Sequence, residues 1–292
     1  KMEDSFAWLD FDEFSFNHID HCLQNEKNIA YDPQTLKEVV SRIGRAEGQD
    51  LMKDIQERSD LIKLNMGSLR LCQLDRGEML RELGAIESLL SILSEMTHWI
   101  VPNMEIIQNE NDETTAVIKL ATTCWQALRD LACGSIGNRT AIRNYTTKEM
   151  NGIQLMVHYL EIFDEIPWDV MDSLQLQLVT AVIGVMRNVS HKTFENCKEL
   201  HERGATALLS KRLLHGALNS NLPSQESPWR EGCFRAAGTL LNLSEEYEPC
   251  LQQCGTNALL VDILFGSWGS NQRYTPVFNA MTSLSGLNYP QR

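Results

Sequence analysis

The chain has 292 residues, 43% hydrophobic and 22% charged, an ordinary composition for a folded protein but too long for one small core. Thirty-nine acids against 26 bases give a formal net charge of −13, so the surface repels phosphate backbones and anionic lipid, and nucleic acid is not an expected partner. No stretch approaches the roughly 18 uncharged apolar residues of a membrane span, so no direct membrane insertion is expected.

The start at Lys1 reads as a fragment of a longer protein. Its first twenty residues hold Glu3, Asp4, Asp10, Asp12, Glu13 and Asp20 against Lys1 alone. Trp8, Phe11 and Phe14 recur at one-turn spacing there, which suits an amphipathic face that packs as a helical cap or lies in a groove. Beyond them the pattern is helical. Strand-type alternation is scarce, and Asn151-Gly152 is followed by Ile153, Leu155, Met156, Tyr159 and Leu160 at helical spacing.

One short pattern recurs at the ends of successive predicted helices: Leu128-Arg129-Asp130-Leu131-Ala132, Met186-Arg187-Asn188-Val189-Ser190 and Leu241-Asn242-Leu243-Ser244. Weaker copies are Leu71-Cys72-Gln73-Leu74 and Met281-Thr282-Ser283-Leu284-Ser285. A glycine at a turn and an apolar run follow the first four, at Gly84, Gly152, Gly204 and Gly255, where a residue without Cβ lets two helices meet at a sharp angle. The polar position advances by 57, 58, 54 and 41 residues, the last value being near the roughly 40–47-residue period of armadillo and HEAT arrays. Insertions near 108–115, 163–172 and 219–227, each of loop composition, account for the longer steps. The expected organisation is a helical cap over 1–60 and a repeat domain over 61–292.

These residues resemble the armadillo-repeat superfamily, in which such a Leu-Arg-Asn-Leu-Ser motif ends a third helix. Residues 127–142 are most similar, without a gap, to a repeat of the adenomatous polyposis coli family. The two following repeats, with Arg187-Asn188, Asn196, Lys198 and Gly204 and then Leu241-Asn242-Leu243-Ser244, match that family's next two in order. Asp130 replaces the usual Asn, and Leu240 and Leu241 stand where Trp is often found, which marks a divergent member. The resemblance implies an all-α, right-handed armadillo superhelix, an α-solenoid of about five repeats with N-terminal capping helices.

In such an array the third helices align into one surface. Asn188 and Asn242, and Asp130 with altered charge, are expected on it, where an amide offers a donor and an acceptor to a peptide backbone; capping of helices or turns is the competing role. Arg129, Arg187 and Arg235 would line a basic strip suited to acidic or phosphorylated segments, or else stand as solvated charges. Gln126, Asn279 and Trp125 fall about one turn before their motif positions and could add contacts, Trp125 being equally suited to the core. The six tryptophans form no regular Trp-then-Asn ladder, against a receptor for basic signals.

The eight cysteines mostly sit within apolar helical patterns, as small core residues do in a reducing setting. His18, His21 and Cys22 invite a metal reading but lack a partner motif, as do Cys250 and Cys254, so neither metal nor other cofactor is expected. With no phosphate loop, nucleophile elbow or metalloprotease helix, no catalytic residue and no small-molecule substrate are assigned. The resemblance implies a protein-binding scaffold that takes extended or helical partner segments, in Wnt/β-catenin signalling, cell polarity or cytoskeletal regulation. A δ- or β-catenin-like adhesion adaptor and a regulator of a small GTPase are the alternatives. The implied location is the cytoplasm, with the cell cortex, junctions and nucleus as further sites.

Overall fold

The computed structural model describes residues 51–66, 74–100, 112–147, 150–166, 170–218 and 229–250. The acidic start, the copy at 281–285 with Asn279, the turn at Gly255, and the expected insertion at 219–227 lie outside the described residues.

The described residues form helices α1 (Leu51–Met66), α2 (Leu74–Glu82), α3 (Ala85–Ile100), α4 (Asp112–Ala132), α5 (Ile136–Asn144), α6 (Gly152–Ile162), α7 (Ser173–Ser190), α8 (Phe194–Glu202), α9 (Ala205–Leu218) and α10 (Arg230–Glu246). Among them there is no strand; Thr146 and Asn151 form an isolated bridge. No described helix is long and apolar enough to cross a membrane.

The helices group in threes. α2, α5 and α8 are nine residues each and open 62 and 58 residues apart. Each is followed by a second helix (α3, α6, α9) and then a longer third (α4, α7, α10). First helices pack on first, second on second, and third on third, with α1 against α4 as α4 is against α7 and α7 against α10. Leu80, Ile86, Leu89, Trp125, Leu128, Ile153, Tyr159, Val182 and Met186 are among the fully buried side chains of one continuous core that runs through the stack. A helix exposing such a face cannot be stable alone, and stacking supplies the missing cover. The fold is an all-α solenoid of armadillo-type three-helix repeats.

Two devices make the corner between first and second helices. Gly84 and Gly204 hold φ of +87° and +90°, the left-handed region that costs glycine nothing. Gly152 instead lets α6 approach α5, since a Cβ there would lie 2.2 Å from the Ile142 carbonyl oxygen. Asn151 caps α6, accepting from the Gln154 amide while the Gln154 side chain accepts from the Asn151 amide. Asp172 and Gln175 repeat this reciprocal cap on α7.

The structure revises parts of the sequence pattern. Leu74, the last residue of the weak copy at 71–74, opens α2 and does not close a third helix; the rest of that copy lies outside the described residues. Residues 112–115 belong to the first turn of α4, and α10 runs two residues past Ser244 to Glu246. Residues 163–166 form an ordered turn after α6. The Arg212 guanidinium, 2% exposed on α9, donates to the carbonyls of Phe163 and Ile166, and Lys211 lies 2.5 Å from Asp164. Burial lowers the Arg212 pKa, and the Asp164 and Glu165 carboxylates oppose that shift.

Lys192 is the one non-glycine at positive φ (51°) among the described residues, and sits four residues beyond Asn188, as Gly134 (φ 72°) sits four beyond Asp130. A left-handed L-residue costs about 1–2 kcal/mol, which glycine relieves against its larger unfolded-state entropy. Lys192→Gly should therefore raise the melting temperature slightly. Gly152→Ala should lower it by the equivalent of about 1–3 kcal/mol, because the clash is with backbone; thermal unfolding of both variants by circular dichroism checks the pair.

Candidate peptide-binding face

The third-helix layer carries the motif positions one above another. Near the end of α7, the Asn188 side-chain nitrogen donates to the Arg129 carbonyl of α4 at 2.9 Å. On α10, the Asn242 nitrogen donates to the Arg187 carbonyl of α7 at 2.8 Å and to Ser190 Oγ at 3.1 Å. Each amide thus reaches the residue just before the motif position in the preceding repeat. Side-chain carbonyl oxygens remain the free acceptors: neither Oδ1 takes a hydrogen bond from the described residues. The expected donor and acceptor are therefore split, with the donor side holding repeats together and the acceptor side open to a peptide N–H.

Asp130 departs from the motif, and the reason is chemical. A carboxylate has no N–H with which to reach a carbonyl. It accepts instead from Arg129 Nε at 2.8 Å.

The three arginines come together through glycines. One turn before Asn188 and Asn242 stand Gly184 and Gly238, where the first repeat has the exposed Gln126. A Cβ at Gly184 would lie 2.5 Å from Arg235 Nη1 and 3.2 Å from Arg129 Cδ, so side chains from both neighbouring helices meet over that residue. At Gly238 it would lie 2.8 Å from Arg187 Nε. Arginine side chains thus pass over both bare backbone positions. Arg235 is 9% exposed and paired with Glu231 at 2.6 Å, while Arg129 is paired with Asp130. Arg187, half-buried, stands between them. Glu231 and the two glycines were missed from sequence, although aligning the position four before each motif Asn would have shown the glycines.

A second row was also missed. Asn138 and Asn196, both fully buried, stand eight residues after Asp130 and Asn188. Asn138 Nδ2 donates to the Leu131 carbonyl at 2.7 Å and to Gly77 at 3.3 Å; Asn196 Nδ2 donates to Val189 at 2.8 Å and to Arg139 at 3.4 Å. Each ties the end of a third helix to first helices of two repeats. Cys250 holds the same register after Asn242, with Sγ 3.3 Å from Thr206 Oγ1.

Trp125 is core. It is fully buried with its ring edge-on to Tyr159 at 5.2 Å, and Tyr159 Oη donates to the Leu93 carbonyl. Desolvation also governs the thiols: burial pushes Cys124 and Cys197 far up and Cys233 up to about 12.

No family model matches the chain, nor does any curated protein. Among solved structures it is similar to a designed armadillo repeat protein, YIII(Dq.V1)4CPAF in complex with peptide (KR)4. Identity is 14%, coverage 86% of this chain and 81% of that chain, and TM-score 0.48. A second designed armadillo repeat protein, YIII(Dq)4CqI, gives 13% identity, 86% and 99% coverage, and TM-score 0.39.

The amide stitches generate two expectations. Asn188→Ala and Asn242→Ala should each destabilise the fold by about 1 kcal/mol, near the low end for a lost bond because each carbonyl keeps another donor. Those donors are Cys133 N for Arg129 and Ser190 Oγ for Arg187. Denaturant titration measures it, and equal midpoints for variant and parent would remove the stitch from the stability account. Cys124, Cys197 and Cys233 should resist a thiol reagent at pH 8 in the folded protein and react on unfolding, read by absorbance of the released thiolate.

Proposed function

We propose that this chain is a protein-docking scaffold whose third-helix face holds an extended or helical acidic segment of a partner. The observation that carries this reading is the row of Arg129, Arg187 and Asn188, Arg235 and Asn242 on α4, α7 and α10, fixed in register by the bonds that cross repeats. A pre-ordered surface loses little entropy on binding, so weak exposed contacts add along it. Open Asn oxygens accept peptide N–H groups, and the arginine planes take carboxylates or phosphates. Gln126 extends the row on α4 and Asn279 would extend it beyond α10. The likeness of the repeats to the adenomatous polyposis coli family supports scaffolding in Wnt-type signalling, polarity or cytoskeletal regulation.

The test is a panel of fluorescein-labelled 15-residue peptides, acidic, phosphorylated and basic, titrated by anisotropy. Acidic and phosphorylated members should bind and basic ones should not. Arg187→Glu should weaken binding by roughly five- to a hundredfold, the range expected for losing about 1–3 kcal/mol, and the loss should be steepest at low salt. Unchanged binding by a variant with parental melting temperature moves the docking site off this face.

A further inference from the structure

Asn151-Gly152 is the one Asn-Gly pair in the 292 residues, and it stands at the start of α6. The Asn151 side chain has two attachments. Its Oδ1 accepts from the Gln154 amide at 2.8 Å as the cap of α6, and its Nδ2 donates to Glu199 Oε1 on α8 at 2.6 Å. The second bond joins the second helix of one repeat to the first helix of the next. We propose that Asn151 deamidates in the folded protein, and that the aspartate formed there turns this contact between repeats into a repulsion.

The Gly152 nitrogen attacks Cγ of Asn151. A bond from that nitrogen to Cγ forms, the Cγ–Nδ2 bond breaks, and the amide nitrogen leaves as ammonia with the Gly152 proton. Water then opens the five-membered imide: addition at Cγ leaves aspartate, and addition at the main-chain carbonyl leaves the isoaspartyl linkage. Water is the only co-reactant. Glycine suits the step because no side chain hinders approach to its nitrogen. The site adds two features of its own. Gly152 is the first residue of α6, and its N–H donates to no other described residue, as expected in a first turn. That helix end also carries partial positive charge, which stabilises the nitrogen as it loses its proton.

The two attachments oppose the reaction, because the side chain must leave them to react. Release from a neutral hydrogen bond costs about fivefold in rate and from a carboxylate about tenfold, so the folded chain should react about fifty-fold more slowly than the unfolded one.

Aspartate keeps one attachment and loses the other. A carboxylate caps a helix as well as an amide does, and the helix end favours its charge. It has no N–H to offer Glu199, and two carboxylates set where amide and acid now stand 2.6 Å apart repel each other. α6 therefore stays capped while its hold on α8 fails. Asn151 and Glu199 lie outside the third-helix layer, so this chemistry does not depend on the docking face.

The experiment incubates the whole 292-residue chain at pH 8 in oxygen-18 water and follows label at residue 151 by peptide mapping. Label should enter the folded parent about fifty-fold more slowly than the denatured chain, and Glu199→Ala, or Glu199→Leu if the former unfolds, should speed it about tenfold with the helix signal unchanged. Asn151→Asp makes the product directly and should lower the folding equilibrium constant about tenfold in a urea titration; Glu199→Gln, which restores a donor, should recover that loss. Label confined to denaturant, or entering parent and Glu199 variant equally fast, overturns the modification site. An Asn151→Asp chain as stable as the parent, or one that Glu199→Gln leaves weakened, overturns the repulsion between repeats.

Discussion

A solenoid has no single centre, so its geometry rests on bonds that cross from one repeat to the next. Here those bonds are side-chain amides donating to main-chain carbonyls of the preceding repeat: Asn188 to Arg129 and Asn242 to Arg187 along the third helices, Asn138 to Gly77 and Asn196 to Arg139 along the first. Hydrophobic contact alone would let neighbouring helices slide, because burial is proportional to area and indifferent to register. A buried amide that must find its acceptor is not indifferent. One wrong turn of a helix leaves the amide donor unpaired, at a cost of about 1–3 kcal/mol.

The same constraint shapes the candidate face. With the amide donor spent inside the array, the surface keeps an acceptor, and positive charge must come from elsewhere. Arginines supply it from one turn away, over glycines that leave them nothing to climb around. Asp130 then holds Arg129 in place, and Glu231 holds Arg235. Such pairing lowers the charge of the row and fixes its geometry, as the proposed docking of an extended chain would require. In the proposed docking reading, stability and recognition rest on the same residues, so binding and melting must be measured together at Asn188 and Asn242.

Long-range contacts reach beyond that face. Arg139 donates from α5 to the Ala132 carbonyl and, at 2.6 Å, to the His191 carbonyl past the end of α7. Arg212 on α9 secures the turn after α6. Buried guanidinium groups, with five donors each, suit helix ends because several last carbonyls there lack a partner.

How much was legible beforehand follows from what kind of signal each feature leaves. Helical periodicity, the corner glycines Gly84, Gly152 and Gly204, the Asn151 start of α6 and the recurring motif at 130, 188 and 242 are local, and the sequence by itself determined them: 3.6-residue spacing, left-handed φ and capping involve neighbours in the chain. It also determined that repeats must stack, since no single one could bury its apolar face. It did not determine which side of each amide faces outward, or that Trp125 belongs to the core. Those were decided only in the tertiary structure, because each depends on a group some 50 or 60 residues away, or on which face of a helix its neighbour covers, and sequence spacing carries neither distance nor direction across repeats.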